Sequence, residues 1–506
     1  MHESPCPAPP TNLSVQQRSE RVRLVGQMLR SLGFDASLQA LENESGESVE
    51  SHAAATLRVA VLRGDFDAVE GLVATKPTLF EVRRQRFLEL LEQNNQTTAL
   101  KLLRSTLVPV CPDQQILHKL AALVMCANAD DLKRKANWDG ANGSSRAQLL
   151  ATLQKHLAAE SAGTTSFLPE DRLEALFAQS IEFQKSNCLY HNVPDEKISL
   201  LVDHICDRSS FPTKTHHVLD GHSDEVWFVA FSAHGELLAS ASKDRTCIIW
   251  DALTFKPIHI LRGHTDHVSV LAWSSDSEYL VTGSNDNSIK LWNVNNGTCV
   301  QTFSLHSETI TSLAFIPKIP ATSFVSSSVD KNVLLWSLEG HVLHKWNGVR
   351  VTDLNITSDG TRMVTISDKR IRVFDLSSKE EILTLQEHDA ITSINTAQDC
   401  RFALVNVAAC QEIHLWDMHE NQVVRKFTGH KQGRFVIRSC FGGLFQNFVL
   451  SGSEDSNVYV WNRERGVLLE RLEGHSATVN SISWNTNLNV FASASDDCTI
   501  RIWGVQ

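Results

Sequence analysis

No stretch of this 506-residue chain stays apolar for the roughly 18 residues that a membrane-spanning helix requires, so no such span is expected. The opening residues, Met1 to Ser14, are polar and proline-rich where a secretory leader needs an apolar run, so a cytoplasmic or nuclear protein is expected. Eleven cysteines are scattered with none at Cys-x-x-Cys spacing. Neither a disulfide framework nor a thiolate metal site is signalled, and no metal or cofactor is expected. Basic charge is short as well: 47 Lys and Arg stand against 58 Asp and Glu, a net charge of -11, which removes the usual footprint of nucleic-acid binding. The chain also lacks G-x-S-x-G, H-E-x-x-H, a P-loop lysine and any Cys/His cluster at RING spacing, so an enzyme is not expected.

Tryptophan is scarce in one half only, since Trp138 alone of the eleven precedes residue 213. Up to residue 212 apolar residues recur at three and four, as in Val22, Val25, Met28, Leu29 and Leu32, the spacing of one helix face. Beyond it, short Val-, Ile- and Ser-rich runs alternate with turns, which reads as strands. These runs repeat. Each ends in an aromatic residue (Trp250, Trp292, Trp336, Phe374, Trp416, Trp461 and Trp503) at intervals of 38 to 45 residues, near the WD-repeat period of about 40–45. Gly-His pairs at His222, His264, His430 and His475 open four units, with His306 and His388 in the same place without the glycine. An aspartate precedes each terminal aromatic by six residues (Asp244, Asp286, Asp330, Asp368, Asp455 and Asp497), except where Cys410 replaces it.

Seven such units predict a seven-bladed propeller over 213–506, its four-stranded blades hiding their edges around a central channel. The opening run near His216 to Leu219 is expected to complete the last blade. The His, Asp and Trp of each repeat, with a Ser or Thr, are expected to form a buried hydrogen-bonded group. The expected members are His222, Asp244 and Trp250; His264, Asp286 and Trp292; His306, Asp330 and Trp336; Asp455 and Trp461; and His475, Asp497 and Trp503. The fourth unit, with Phe374, cannot form the indole bond and the fifth has Cys410 in place of the turn acid, so both blades are expected to be present but less rigid. Positions three and five beyond each of these histidines point to the channel rim: Glu225, Trp227, His267, Ser269, Thr309, Thr311, Thr478 and Asn480. The same alignment adds Arg350, Thr352, Thr392, Phe435 and Ile437, and the residues before the turn acids add Lys243, Asn285, Glu454 and Asp496. These are the candidate partner-binding residues.

In the helical half, Ser14-Val-Gln-Gln17 fits a capping box and Gly33 a left-handed helix stop. The stretch from Ser19 through Leu32-Gly-Phe34 to Leu41–Gly46 resembles a LisH motif, a short dimerisation element. That resemblance implies Val25, Leu29, Leu32, Phe34, Leu38 and Leu41 as dimer-face residues. The helices from Ala53 to Leu107 resemble a CTLH domain. The expected organisation is therefore multidomain, α plus all-β: a disordered tail 1–13, LisH 14–50, CTLH 51–112, a helical extension and hinge 113–212, and the propeller. This order resembles the WD repeat-containing protein 26 family, propeller subunits of the CTLH, or glucose-induced-degradation, ubiquitin ligase. Supporting stretches are Cys188-Leu-Tyr-His-Asn192, Asp203-His204 with Cys206 leading to Phe211-Pro212, Leu404–Val407 with His414–Asp417, Ser439–Gly443, and Ala492–Asp497 with Trp503-Gly504.

The resemblance implies a non-catalytic scaffold and substrate receptor in ubiquitin-dependent degradation. Its implied partners are a sister CTLH scaffold, a RING-type subunit, protein clients on the propeller and a second copy of the chain. A LisH/WD-repeat corepressor or a signalling scaffold remains the alternative.

Overall fold

The computed structural model describes residues 14–505 apart from 50–51, 74, 112–113, 127, 137, 142, 161–167, 169–170, 195–196, 319–320, 349 and 434. The expected tail 1–13 lies outside the described residues. Contacts divide the chain into two compact units, residues 1–180 and 181–506.

The first unit opens with α1 (Val15–Ser31), whose Ser14 side chain accepts the Gln17 N–H while Gln17 reaches back to the Ser14 N–H. That box satisfies two N–H groups a helix start otherwise leaves orphaned. At the other end Gly33 takes φ +79°, its N–H bonds to Arg30 O and the Phe34 N–H to Leu29 O, which turns the chain into α2 (Asp35–Ser45). Helices further along share two apolar cores, one of them combining Leu57, Val61, Val69 and Val82 with Leu149, Leu150 and Leu153. Arg146 joins the same assembly, clasping the buried Glu89 with both guanidinium arms and donating to Leu62 O. The expected boundary at residue 112 therefore does not appear in the packing, because the helix Ser145–Glu160 completes the core of the helices before it.

The second unit is a ring of seven four-stranded antiparallel sheets. Blades one to six span 226–262, 268–303, 310–347, 353–386, 391–428 and 439–472. Blade seven takes three strands from 479–504 and its fourth from Lys214–Leu219, which pairs with Ile500–Gly504 from Leu219 opposite Ile500 to Lys214 opposite Gly504. Alternation along each strand sends one set of side chains into the layer between adjacent blades. There Trp461, Phe448, Phe427 and Phe491 are fully buried.

Within the stretch 113–212, expected as a helical extension and hinge, residues 188–194 and 197–212 form a strap seated on the propeller's own surface. Glu470, buried on the outer strand of blade six, accepts from Tyr190 Oη at 2.7 Å and from both arms of Arg208 at 2.5 and 2.7 Å. Burial, with Glu470 as neighbour, pushes the Tyr190 phenol up to about 12. Phe211 fills a slot against Phe448, Tyr190 and Trp484.

Candidate functional site: the channel mouth and the network beneath it

Each turn acid does two jobs. Asp244 Oδ1 accepts the N–H of Thr246 two residues on, an Asx-type turn that places Arg245 at φ +71°. Its Oδ2 lies 2.9 Å from His222 Nδ1, and His222 Nε2 lies 2.8 Å from Ser240 Oγ. Ser240 Oγ also accepts the Trp250 indole N–H at 2.9 Å. A carboxylate only accepts, so His222 donates from Nδ1 to Asp244, and Ser240 links the ring's other nitrogen to the Trp250 indole.

The same group recurs as His264, Asp286, Thr282 and Trp292 in blade two, and as His306, Asp330, Ser326 and Trp336 in blade three. Blade seven repeats it with His475, Asp497, Ser493 and Trp503. Burial holds His264 and His306 below the ordinary histidine range, consistent with neutral rings. Burial pushes Asp286 up, but hydrogen bonds from Ser288 and the Thr265 N–H outweigh it and bring the carboxyl down to about 2.

Blades five and six depart from expectation. In blade five Glu387 takes the hydroxyl's place: its Oε1 accepts the Trp416 indole N–H at 2.5 Å and lies 2.7 Å from Nδ1 of His414. His388, aligned with the Gly-His histidines, is exposed because the residue before it does their work. In blade six Asp455 and Trp461 do not share one network. The Tyr459 hydroxyl claims Asp455 Oδ2 at 2.8 Å, and Trp461 donates to Thr428 O at 3.0 Å. His430, left without that acid, packs its ring edge-on against Trp461, 5.7 Å between centroids, and burial lowers it to about 4.

Above this network the loops converge on a mouth of about 410 Å³. The register comes from one repeated bond: the residue before the turn acid donates its N–H to the residue three past the histidine. The pairs are Lys243 to Glu225, Asn285 to His267 and Asp496 to Thr478, with Val329 to Thr309 in blade three. Glu225, Trp227, Ser269, Thr311, Arg350, Thr352, Thr392, Phe435, Asn480 and Asp496 line the mouth.

His267, Lys243, Asn285, Thr309, Thr478 and Glu454 are not among its lining residues. Trp227 is half-buried, donates to Glu225 Oε2 at 3.0 Å and meets the edge of His267, while Lys243 Nζ holds the other Glu225 oxygen at 2.9 Å. Glu454 Oε1 receives the N–H groups of Gly433 and Phe435, which fixes the longer loop of blade six and presents Phe435 and Val436, 50% and 45% exposed. Ile437 is corrected: it is fully buried and only its carbonyl is used, by Ser393 and Asn406. The extra loop residue turns Val436 to the mouth in its place.

Sequence reasoning missed Arg438 and Asp353, which line one inner cavity together. Asp353 accepts from Ser312 and the N–H groups of Leu354 and Ile394, and burial raises its carboxyl. Arg438 stacks its guanidinium 4.9 Å over Phe228, and burial lowers it.

Six stretches, 213–251, 255–293, 297–337, 337–375, 421–462 and 466–504, match the family model "WD domain, G-beta repeat". Residues 8–51 match the "WDR26 Lis-homology domain". The WD repeat-containing protein 26 homologs of Arabidopsis thaliana and Drosophila melanogaster are both 36% identical, over 97% of this chain and 85% and 81% of their own lengths. The chain belongs to the WD repeat-containing protein 26 family. A further relative of this family member, described as GID complex subunit 7 in Schizosaccharomyces pombe, is 38% identical over 96% of both chains. The unmatched stretch between repeats, residues 376–420, contains the three inner strands of blade five and Glu387, which replaces the usual hydroxyl there.

The residues expected at a dimer face of this WD repeat-containing protein 26 family chain divide. Val25, Leu32 and Phe34 are exposed, and Leu29 and Leu41 are half-buried. Leu38 is corrected: it is buried within its own chain, close enough to Gly26 that a Cβ there would sit 3.2 Å from it.

Proposed function

We propose that the protein is a non-catalytic scaffold and substrate-recruiting subunit of a CTLH-type ubiquitin ligase. The observation that carries this reading is the likeness, at 38% identity over 96% of both chains, to a protein described as GID complex subunit 7. The helical unit self-associates and docks on a sister CTLH scaffold and a RING-type subunit. The mouth holds clients or regulators: Trp227, Arg350, Phe435 and Val436 combine exposed aromatic, cationic and aliphatic surface around a concave centre, the composition of interface anchors.

Two results are expected from affinity purification of the tagged full-length chain. Wild type captures the RING-type and CTLH subunits together with clients, whereas Trp227→Ala/Phe435→Ala keeps the subunits and loses client capture by about tenfold or more, the effect of about 1.4 kcal/mol. Undiminished client capture by the double variant overturns the assignment of the mouth. Recovery of repressor-complex proteins in place of ligase subunits overturns the ligase reading.

In a separate measurement, Leu32→Asp/Phe34→Asp is expected to halve the mass seen by light scattering. Charging two exposed apolar residues leaves the chain's own core intact and penalises only a face that a second copy covers. An unchanged mass removes these two residues from the dimer face.

A further inference from the structure

The strap poses a problem of its own. Among the described residues between the helix Arg172–Asn187 and the opening strand the backbone is largely irregular, and a short 3-10 turn, Arg208–Ser210, organises the second half. Irregular backbone of this length keeps one conformation only when side chains fix it. At its far end Glu470 and Phe211 do so. At its near end stand Cys188, His191, His204 and Cys206, whose sulfur and ring-nitrogen atoms all lie within 4.8 Å of one another.

The geometry is specific. His191 Nδ1 and His204 Nε2 are 2.8 Å apart, Cys206 Sγ is 3.2 Å from His204 Nε2 and 3.9 Å from His191 Nδ1. A zinc ion bound at about 2.3 Å to sulfur and about 2.0–2.1 Å to nitrogen needs tetrahedron edges of about 3.3–3.8 Å. The observed spacings bracket those edges, so adjustments of about 1 Å or less bring all four donors onto one centre. Cys188 and His191 are buried and the other two are half-buried.

The surroundings are those of a built site. Cys188 Sγ accepts the Cys206 N–H at 3.2 Å, the kind of bond that stabilises a metal-held thiolate. Gln184 Oε1 accepts the His204 N–H at 2.9 Å, and Asn447 of blade six donates to His191 O. The His191 ring lies parallel to Phe445 of the same blade. Each half of the donor set is thus oriented by a contact outside it.

We propose that Cys188, His191, His204 and Cys206 form a structural zinc site that staples the two ends of the 188–206 segment together and so holds the strap on blade six. Two thiolates and two imidazoles are a soft and borderline donor set, which selects zinc over magnesium or calcium. Four protein ligands close the coordination sphere and leave no position for substrate water, so the ion is structural. Binding releases the two thiol protons to solvent and leaves each imidazole neutral, with its remaining proton on the nitrogen turned away from the metal. Affinity therefore falls as pH falls.

The test uses the full-length chain, expressed and purified with a thiol reductant and without chelator. Elemental analysis is expected to find about one zinc per chain, the stoichiometry of a four-ligand structural site. Replacing zinc with Co²⁺ is expected to give the visible bands of a tetrahedral centre together with a thiolate charge-transfer band. A strong chelator is expected to lower the melting midpoint and to speed hydrogen exchange selectively in 188–206. Cys206→Ser and His204→Ala are each expected to cut retained zinc more than tenfold.

A folded, reduced wild-type chain that carries no zinc and gives no cobalt spectrum overturns the proposal. So does a Cys188–Cys206 disulfide found by peptide mapping of chain alkylated at lysis. Both readouts use wild type, so they stand even where a variant fails to fold, and neither depends on the ligase reading.

Discussion

A chain shortened by Arg501–Gln506 is expected to lose cooperative folding of the propeller altogether. The deletion removes Ile502 and Trp503, both essentially fully buried. Losing an isoleucine of that kind costs about 2–5 kcal/mol and a tryptophan about 3–5. It also strips the partner from both neighbours of the closing strand, Lys214–Leu219 on one side and Phe491–Ser495 on the other. The sum approaches or exceeds the roughly 5–15 kcal/mol by which such domains are stable. Near-ultraviolet circular dichroism of the shortened chain should show no propeller transition at 25 °C; a transition with the wild-type midpoint would sink the closure argument.

Ser493→Ala should be among the most damaging single hydroxyl removals. Ser493 is fully buried, and its Oγ both receives the Trp503 indole N–H and serves His475 Nε2. Alanine leaves two buried polar groups without partners, at about 1–3 kcal/mol each. A fall in melting midpoint of roughly 3–10 °C follows for a domain of this size. Ser451 is the control: it is equally buried, but its hydroxyl bonds only Gly452 O, and Trp461 donates elsewhere. Ser451→Ala should cost about 1 kcal/mol. Equal losses at the two serines would refute the network as a source of stability.

Acid should weaken the same network in two stages. His264, His306 and His430 have native values below the ordinary one, so the unfolded chain binds more protons beneath about pH 6.5, and stability falls from there toward the native values, about 4 for His430. Asp286, held down at about 2, contributes stability that is complete above the ordinary carboxylate range and is lost as pH falls toward that value. Melting midpoints recorded between pH 7 and pH 5 should therefore drop before any carboxylate of this kind titrates.

Spacing alone locates the blades, the pairing of the opening strand with the last blade, and the residues carried to the mouth, because a propeller repeats one physical unit. It fails where a side chain does another's work. Glu387 stands one place before the expected histidine, and no periodicity reveals that its carboxylate reaches both His414 and Trp416. Tyr459 likewise takes Asp455 from His430 through a hydroxyl that its position in a strand does not advertise. Ile437 was displaced by a single extra loop residue, which exchanges the two faces of the chain. The Cys and His quartet escaped a search for paired cysteines because each cysteine is paired with a histidine, and the two halves meet only through irregular backbone.

Because the first strand of the ring belongs to the last blade, the order of synthesis matters. Lys214–Leu219 leaves the ribosome with no partner, and its partner, Ile500–Gly504, is made only after all the other blades. At about 5–20 residues per second, the intervening stretch of about 280 residues takes roughly 15–55 s to translate. Throughout that interval a free strand edge is open to pairing with any other chain. The growing polypeptide thus carries a timed vulnerability, and shielding by nascent-chain chaperones is most valuable in the half-minute before the ring can shut.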